Sequence, residues 1–167
     1  EQAHVSFEDV LSAEPKLLAL LANIRDPGNA GTVLRAADAA GADAVIFSEN
    51  SVDVYNPKVV RSTTGSIFHL PVVLGANLEA TIAAAKQAGY QVFAATAGGT
   101  ALPELEQSIL AKPTLWMFGN EAWGFEPHIL ELADLKVAVP IYGAAESLNL
   151  ATAASICLYA TAFAQNR

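Results

Sequence analysis

The residues of this chain best suited to chemistry fall in three short polar segments, each beside an apolar run of strand length. They are Asn29-Ala-Gly31-Thr-Val-Leu-Arg35, Phe118-Gly119-Asn120-Glu121-Ala-Trp123-Gly124-Phe125, and Pro140 to Ala151, which contains Ser147-Leu-Asn149-Leu150. In open α/β sheets, ligands bind beyond the carboxyl ends of the strands. The first segment sets Asn29 at a helix start and Gly31 where backbone can approach closely. Arg35, six residues on, has a side chain long enough to reach back toward the mouth of the sheet. A guanidinium there grips phosphate bidentately and stabilises negative charge developing on a hydroxyl. Glu121 stands directly at a strand end. Ser147 and Asn149 open the last helix, where unpaired N–H groups favour polar ligands. Each segment also has a plain structural reading: Asn29 and Ser147 as helix caps, Arg35 as a surface residue paired with Asp26 or Asp38, Glu121 as a capping acid. Trp123 is an aromatic wall on one reading and ordinary packing on the other.

Other chemistries lack their residues. Neither the dinucleotide fingerprint G-x-G-x-x-G nor the phosphate loop G-x-x-x-x-G-K-[ST] occurs. Of the three histidines, His4 lies in the tail, His69 in an expected strand and His128 in an expected helix near Glu131, none with a partner at ligand spacing; no metal site is expected. The single cysteine, Cys157, excludes an internal disulfide framework and sits in an apolar helical run, so it reads as core.

The pattern predicts six strands alternating with helices, an open and mostly parallel sheet with helices on both faces. Strands are expected at Lys16 to Ile24, Ala44 to Phe47, Phe68 to Leu74 (bent or at an edge because of Pro71), Tyr90 to Ala95, Thr114 to Phe118 and Leu135 to Val139. Helices are expected from Asn29 to about Gly41, Pro57 to Arg61, Asn77 to Ala88, Glu104 to Ala111, Glu126 to Leu132 and from Ser147 onward. Thr96-Ala-Gly98-Gly99 reads as a tight turn near a ligand. Residues 1–15, polar and mixed and ended by Pro15, read as a linker.

A chain of 167 residues suits one domain, and 53% hydrophobic residues exclude a disordered segment. No basic-then-apolar leader pattern is visible, and the long uncharged run from Ser147 to Asn166 holds too many polar residues for a membrane span, so the chain is expected to be cytoplasmic. The net charge of −8, with nine Lys and Arg, argues against a self-sufficient nucleic-acid surface. Four of those cations, Arg25, Arg35, Lys58 and Arg61, nevertheless cluster near the first segment.

Taken together and in order, the three segments resemble the motifs of the SpoU (TrmH-like) family of RNA ribose 2′-O-methyltransferases, within the SPOUT superfamily. Val60-Arg61-Ser-Thr-Thr-Gly65-Ser-Ile-Phe68-His69-Leu-Pro71 is similar to that family's stretch between its first two motifs, and the match runs from about Leu17 to the C-terminus. The resemblance implies a C-terminal trefoil knot, S-adenosylmethionine as cofactor, tRNA or rRNA as substrate and a homodimer through the knotted region. It places Asn29, Arg35, Glu121, Ser147 and Asn149 among the catalytic residues, with Thr96, Gly98, Gly119, Ile141, Ser147 and Leu150 at the cofactor. Arg25, Arg35, Lys58 and Arg61 are the candidate RNA contacts. Residues 16–167 would form the catalytic domain, and 1–15 the remnant of a junction with an N-terminal RNA-binding domain. A non-catalytic ligand-binding or scaffold module is the main alternative; a Rossmann oxidoreductase lacks its glycine fingerprint.

Overall fold

The computed structural model describes residues 5–167; residues 1–4, and His4 with them, lie outside the described residues. Five unbroken apolar residues, Leu17–Leu21, form β1, buried throughout because a central parallel strand is covered on both faces. It is flanked by β2 (Ala44–Ser48) and β5 (Thr114–Phe118), with β3 (Val72–Ala76) outside β2 and β4 (Gln91–Ala101) and β6 (Leu135–Ala138) outside β5. All pairings are parallel, in the order β3-β2-β1-β5-β4-β6. Alternate β1 side chains feed two cores: Leu17, Ala19 and Leu21 into one, Leu18 and Leu20 into the other. The first core is closed by α2 (Pro27–Ala39), α3 (Pro57–Thr63), α5 (Gln107–Leu110) and α7 (Leu150–Gln165). The second is closed by α1 (Phe7–Ser12), α4 (Leu78–Gln87) and α6 (Pro127–Leu130). Among the described residues no helix is long and apolar enough to cross a membrane.

Several local expectations need correction. Residues 7–12 are α1, started by a reciprocal cap between Ser6 and Asp9, and they bury Phe7 and Val10 at helical spacing. That part of the expected linker thus belongs to the folded body. Asn29 is not the cap of α2: Asp26 is, its carboxylate accepting from the Asn29 N–H at 2.7 Å, because Pro27 is suited only to the first helical turn. Likewise Asn149, not Ser147, caps α7, its Oδ1 accepting from Ala151 and Thr152. Gly98-Gly99 does not close a tight turn; it lies within β4, where pairing to β6 slips between Ala95 and Thr100. Gly98 there has φ +77, and a Cβ on Gly99 would stand 2.5 Å from Lys136 backbone. His69 is not in a strand: Ser66–Phe68 is a 3-10 turn and β3 begins only after Pro71, at the sheet edge. The helix expected at 104–111 is a 3-10 turn, Leu102–Glu104, followed by α5.

Two contacts fix the helices of the first core. The buried Trp116 indole donates to Thr161 Oγ1 at 2.9 Å, joining β5 to α7. Gly31 lets α2 cross α3 closely; a Cβ there would lie 2.4 Å from Ser62 Cβ and 2.6 Å from the Val59 carbonyl oxygen. Both obstacles are fixed by helix backbone, so Gly31→Ala is expected to destabilise by about 1–3 kcal/mol through overpacking, outweighing the helix propensity gain of about 1 kcal/mol. A melting temperature at or above that of the unaltered protein would refute the close crossing.

Candidate active site

The three polar segments meet in one cleft beyond the carboxyl ends of β1, β4, β5 and β6. Its volume is about 540 Å³, within the range of roughly 300–1,000 Å³ common for small-molecule sites. One wall is Ala95, Thr96 and Ala97, where β4 leaves its ladder with β6. The floor is Phe118, Gly119 and Asn120 with Val137 to Val139, and the last wall is Ile141 and residues 146–150.

The segment after β5 is a locked turn. Asn120 and Gly124 exchange backbone hydrogen bonds of 2.8 and 2.9 Å, and Asn120 Oδ1 accepts from Ala122. Its Nδ2 donates to the Asn23 carbonyl at 2.7 Å. A Cβ on Gly119 would meet Gly124 backbone at 2.7 Å, so only glycine fits the floor there. The Glu121 carboxylate accepts from the backbone N–H groups of Arg25 (3.3 Å) and Asp26 (3.1 Å). It therefore holds the loop that starts α2 and does not cap the helix after it. The third segment joins the first directly: Asn149 Nδ2 donates to Asn29 Oδ1 at 3.0 Å, across 120 residues of sequence.

Of the residues singled out from sequence, Asn29, Thr96, Gly119, Glu121, Ile141, Ser147, Asn149 and Leu150 line the cleft. Gly98 does not, and neither do Arg25, Arg35, Lys58 or Arg61. For Arg35 the reason is helical geometry, since six residues carry it about 9 Å along α2 and about 240° round from Asn29. It is exposed and forms no ion pair with Asp26 or Asp38; Asp38 instead lies 2.8 Å from His69. His128 pairs with Glu79 and Glu126, while Glu131 pairs with Lys136. Burial pushes the Cys157 thiol up to about 12, which suits a core residue and not a nucleophile.

Sequence reasoning missed Asn120, whose side chain organises the turn, and Glu146, a second carboxylate on the cleft. Asn120 was legible as a polar residue directly at a strand end; Glu146 was hidden in a loop without periodicity. Among the described lining residues, the charged groups are thus two carboxylates and no Lys or Arg.

Residues 16–159 match the family model described as SpoU rRNA Methylase family. The chain is 42% identical over 153 residues to the 23S rRNA (guanosine(2553)-2′-O)-methyltransferase RlmP of Bacillus subtilis, covering 91% of this chain and 60% of that protein. It is 37% identical to the 23S rRNA (uridine(2479)-2′-O)-methyltransferase of Streptomyces viridochromogenes, over 80% of this chain and 47% of that one. The fold superposes on the AdoMet-bound rRNA methyltransferase of Sinorhizobium meliloti with a TM-score of 0.87 and 34% identity, covering 96% of this chain and 61% of that one. The chain spans about three fifths or less of the length of these relatives. With its sheet order, cleft and three joined motifs, the chain belongs to the SpoU rRNA methylase family.

Proposed function

We propose that this chain is the catalytic part of an S-adenosylmethionine-dependent enzyme that methylates a ribose 2′-hydroxyl of large-subunit ribosomal RNA. The observation that carries the reading is the charge of the cleft. Its lining presents Glu121 and Glu146 and no cation, which suits a ligand bearing a sulfonium and an ammonium and repels a nucleic-acid backbone. The exposed Arg35, Lys58 and Arg61 lie outside it, on α2 and α3, where an RNA strand would run. Names of similar proteins point the same way: several are 23S rRNA 2′-O-methyltransferases, and two superposed structures hold AdoMet.

The residues present fit that cofactor. Thr96, Gly119, Ile141 and Leu150 would hold it, with the slipped β4 segment and the locked turn supplying backbone polar groups and Val137 to Val139 an apolar floor. When bound, the sulfonium supplies an electrophilic methyl group. Asn29 and Asn149, linked side chain to side chain, position the substrate end of the cleft. A guanidinium keeps its proton and is a poor base. The role of Arg35 is to stabilise charge developing on the 2′-oxygen as the hydroxyl proton passes to solvent water.

That role needs Arg35 brought to a cleft it does not line in its own chain, and a homodimer supplies the means. Ile156 and Phe163 leave an apolar stripe on the outer face of α7, beside Tyr159, whose ring lies 5.4 Å from that of Phe163. Tyr159 also donates to the Ala39 carbonyl, so the stripe is continuous with α2. The segment from Pro140 to Asn149, returning to Asn29, forms the knotted part of this proposal. The catalytic unit takes in residues 16–167 together with α1, which packs on its second core, and the enzyme works in the cytoplasm on ribosomal RNA.

Calorimetry with S-adenosylmethionine is expected to give one site per chain, and tritiated methyl transfer is expected onto protein-free 23S rRNA. Binding with no transfer to any RNA would favour the ligand-binding module instead. Arg35→Ala is expected to lose transfer by at least about 100-fold, a loss typical of removing one charge-stabilising donor, while the cofactor still binds. Near-normal turnover in that variant would remove Arg35 from the mechanism. Asn149→Ala is expected to lower stability by about 1 kcal/mol through loss of the α7 cap. Asn149→Ser, which can still cap, should recover the melting temperature but not transfer; full recovery of both would reduce Asn149 to a cap.

A further inference from the structure

Outside the cleft the most exposed aromatic ring in a well-anchored turn is Phe68, 75% exposed. The turn that presents it is fixed on every side. Ile67 before it is buried, and the Phe68 and His69 N–H groups donate to Gly65 and Ser66 carbonyls at 3.0 Å each. His69 Nδ1 lies 2.8 Å from the Asp38 carboxylate. Hydrogen bonds from Ser66 and then His69 hold that carboxylate below its usual value. A ring held out in water by this many contacts has a conformation already set for a partner.

Three cations lie on the two helices beside the turn. On α2, Gly31, Arg35 and Asp38 share one face, being four and three residues apart. Gly31 meets Ser62 of α3 at one end of that face and Asp38 meets His69 at the other, so Arg35 lies between α3 and the turn. Arg61 adjoins Ser62, and Lys58 is one helical turn before Arg61. All three cations are exposed and make no salt bridge among the described residues. Thr64 and His69 beside Phe68 are exposed and polar, so the ring is a lone π face in polar, cationic surroundings. A protein partner would need a contiguous apolar patch, as on α7. Unpaired RNA bases stack on single aromatic rings, with basic side chains on the neighbouring phosphates.

We propose that residues 66–69 form a nucleotide-gripping turn in which Phe68 stacks on one unpaired base of the RNA while Lys58 and Arg61 engage the adjoining phosphates. This rests on the RNA substrate proposed above. The test compares unaltered protein with Phe68→Ala, Phe68→Leu and Phe68→Trp on a protein-free 23S rRNA transcript. Methyl-transfer kinetics, calorimetry with S-adenosylmethionine and light-scattering mass are measured on each. Ala and Leu are each expected to raise KM for the transcript by about 10-fold, the scale of one lost base stack, and Trp to leave it level or lower. Values of kcat, cofactor affinity and oligomeric mass should not change. An unaltered KM in Phe68→Ala would overturn the proposal, as would Leu behaving like Phe, since bulk rather than a π face would then suffice. A fall in mass or cofactor affinity with an unchanged KM would assign Phe68 to a contact between copies or to folding. Absence of transfer by the unaltered protein to any RNA would refute the substrate reading itself, and the stacking role with it.

Discussion

The tie between the end of β5 and the loop after β1 is the contact on which the site depends. Glu121 accepts from two successive backbone N–H groups at Arg25 and Asp26, and Asn120 donates to the carbonyl of Asn23. The two bonds to the carboxylate are charge-assisted and so stronger than neutral ones. They set where α2 begins, and with it the position of Asn29, the close crossing at Gly31 and the face that carries Arg35. Glu121 therefore acts first as a clamp on backbone, and its negative charge on the cleft is a second consequence of the same placement.

Charges are separated around the cleft. Two carboxylates, Glu121 and Glu146, line it, while Arg35, Lys58 and Arg61 stand on α2 and α3 outside it. On the proposed function, a cationic methyl donor and an anionic RNA would then occupy neighbouring sites without sharing an electrostatic environment. The histidine near the cation surface serves the Asp38 anchor and adds nothing to the cleft.

The sheet was legible because its strands are short apolar runs between breakers, and β5 matched its expected bounds residue for residue. Caps were less legible. Asn29 and Ser147 both precede helical runs, but Asp26 and Asn149 won those positions, the first because Pro27 fixes the start of its helix. The slipped pairing of β4 was not readable, since Gly98-Gly99 is as good a turn signal as a bulge signal. The motifs identified the cleft residues because each lies at a strand end. They did not reveal that Arg35 lies off the cleft, since spacing sets its angle from Asn29 but not which side of α2 faces the cleft.

The bond from Asn149 to Asn29 couples residues 120 apart, and Gln165 reaches further back, donating to the carbonyls of Lys16 and Lys112. Contacts of such high sequence separation make folding slow and leave apolar surface uncovered in the meantime. During synthesis, β1 leaves the ribosome long before α7 is made, so half of its buried face waits for a helix at the other end of the chain. The first core is completed only when translation has nearly finished. A chain interrupted before α7 lacks the cleft and displays the inner faces of β1 and β5, the kind of surface that chaperones and proteases recognise. Through this connectivity, an intact cleft certifies that the chain has been made through α7.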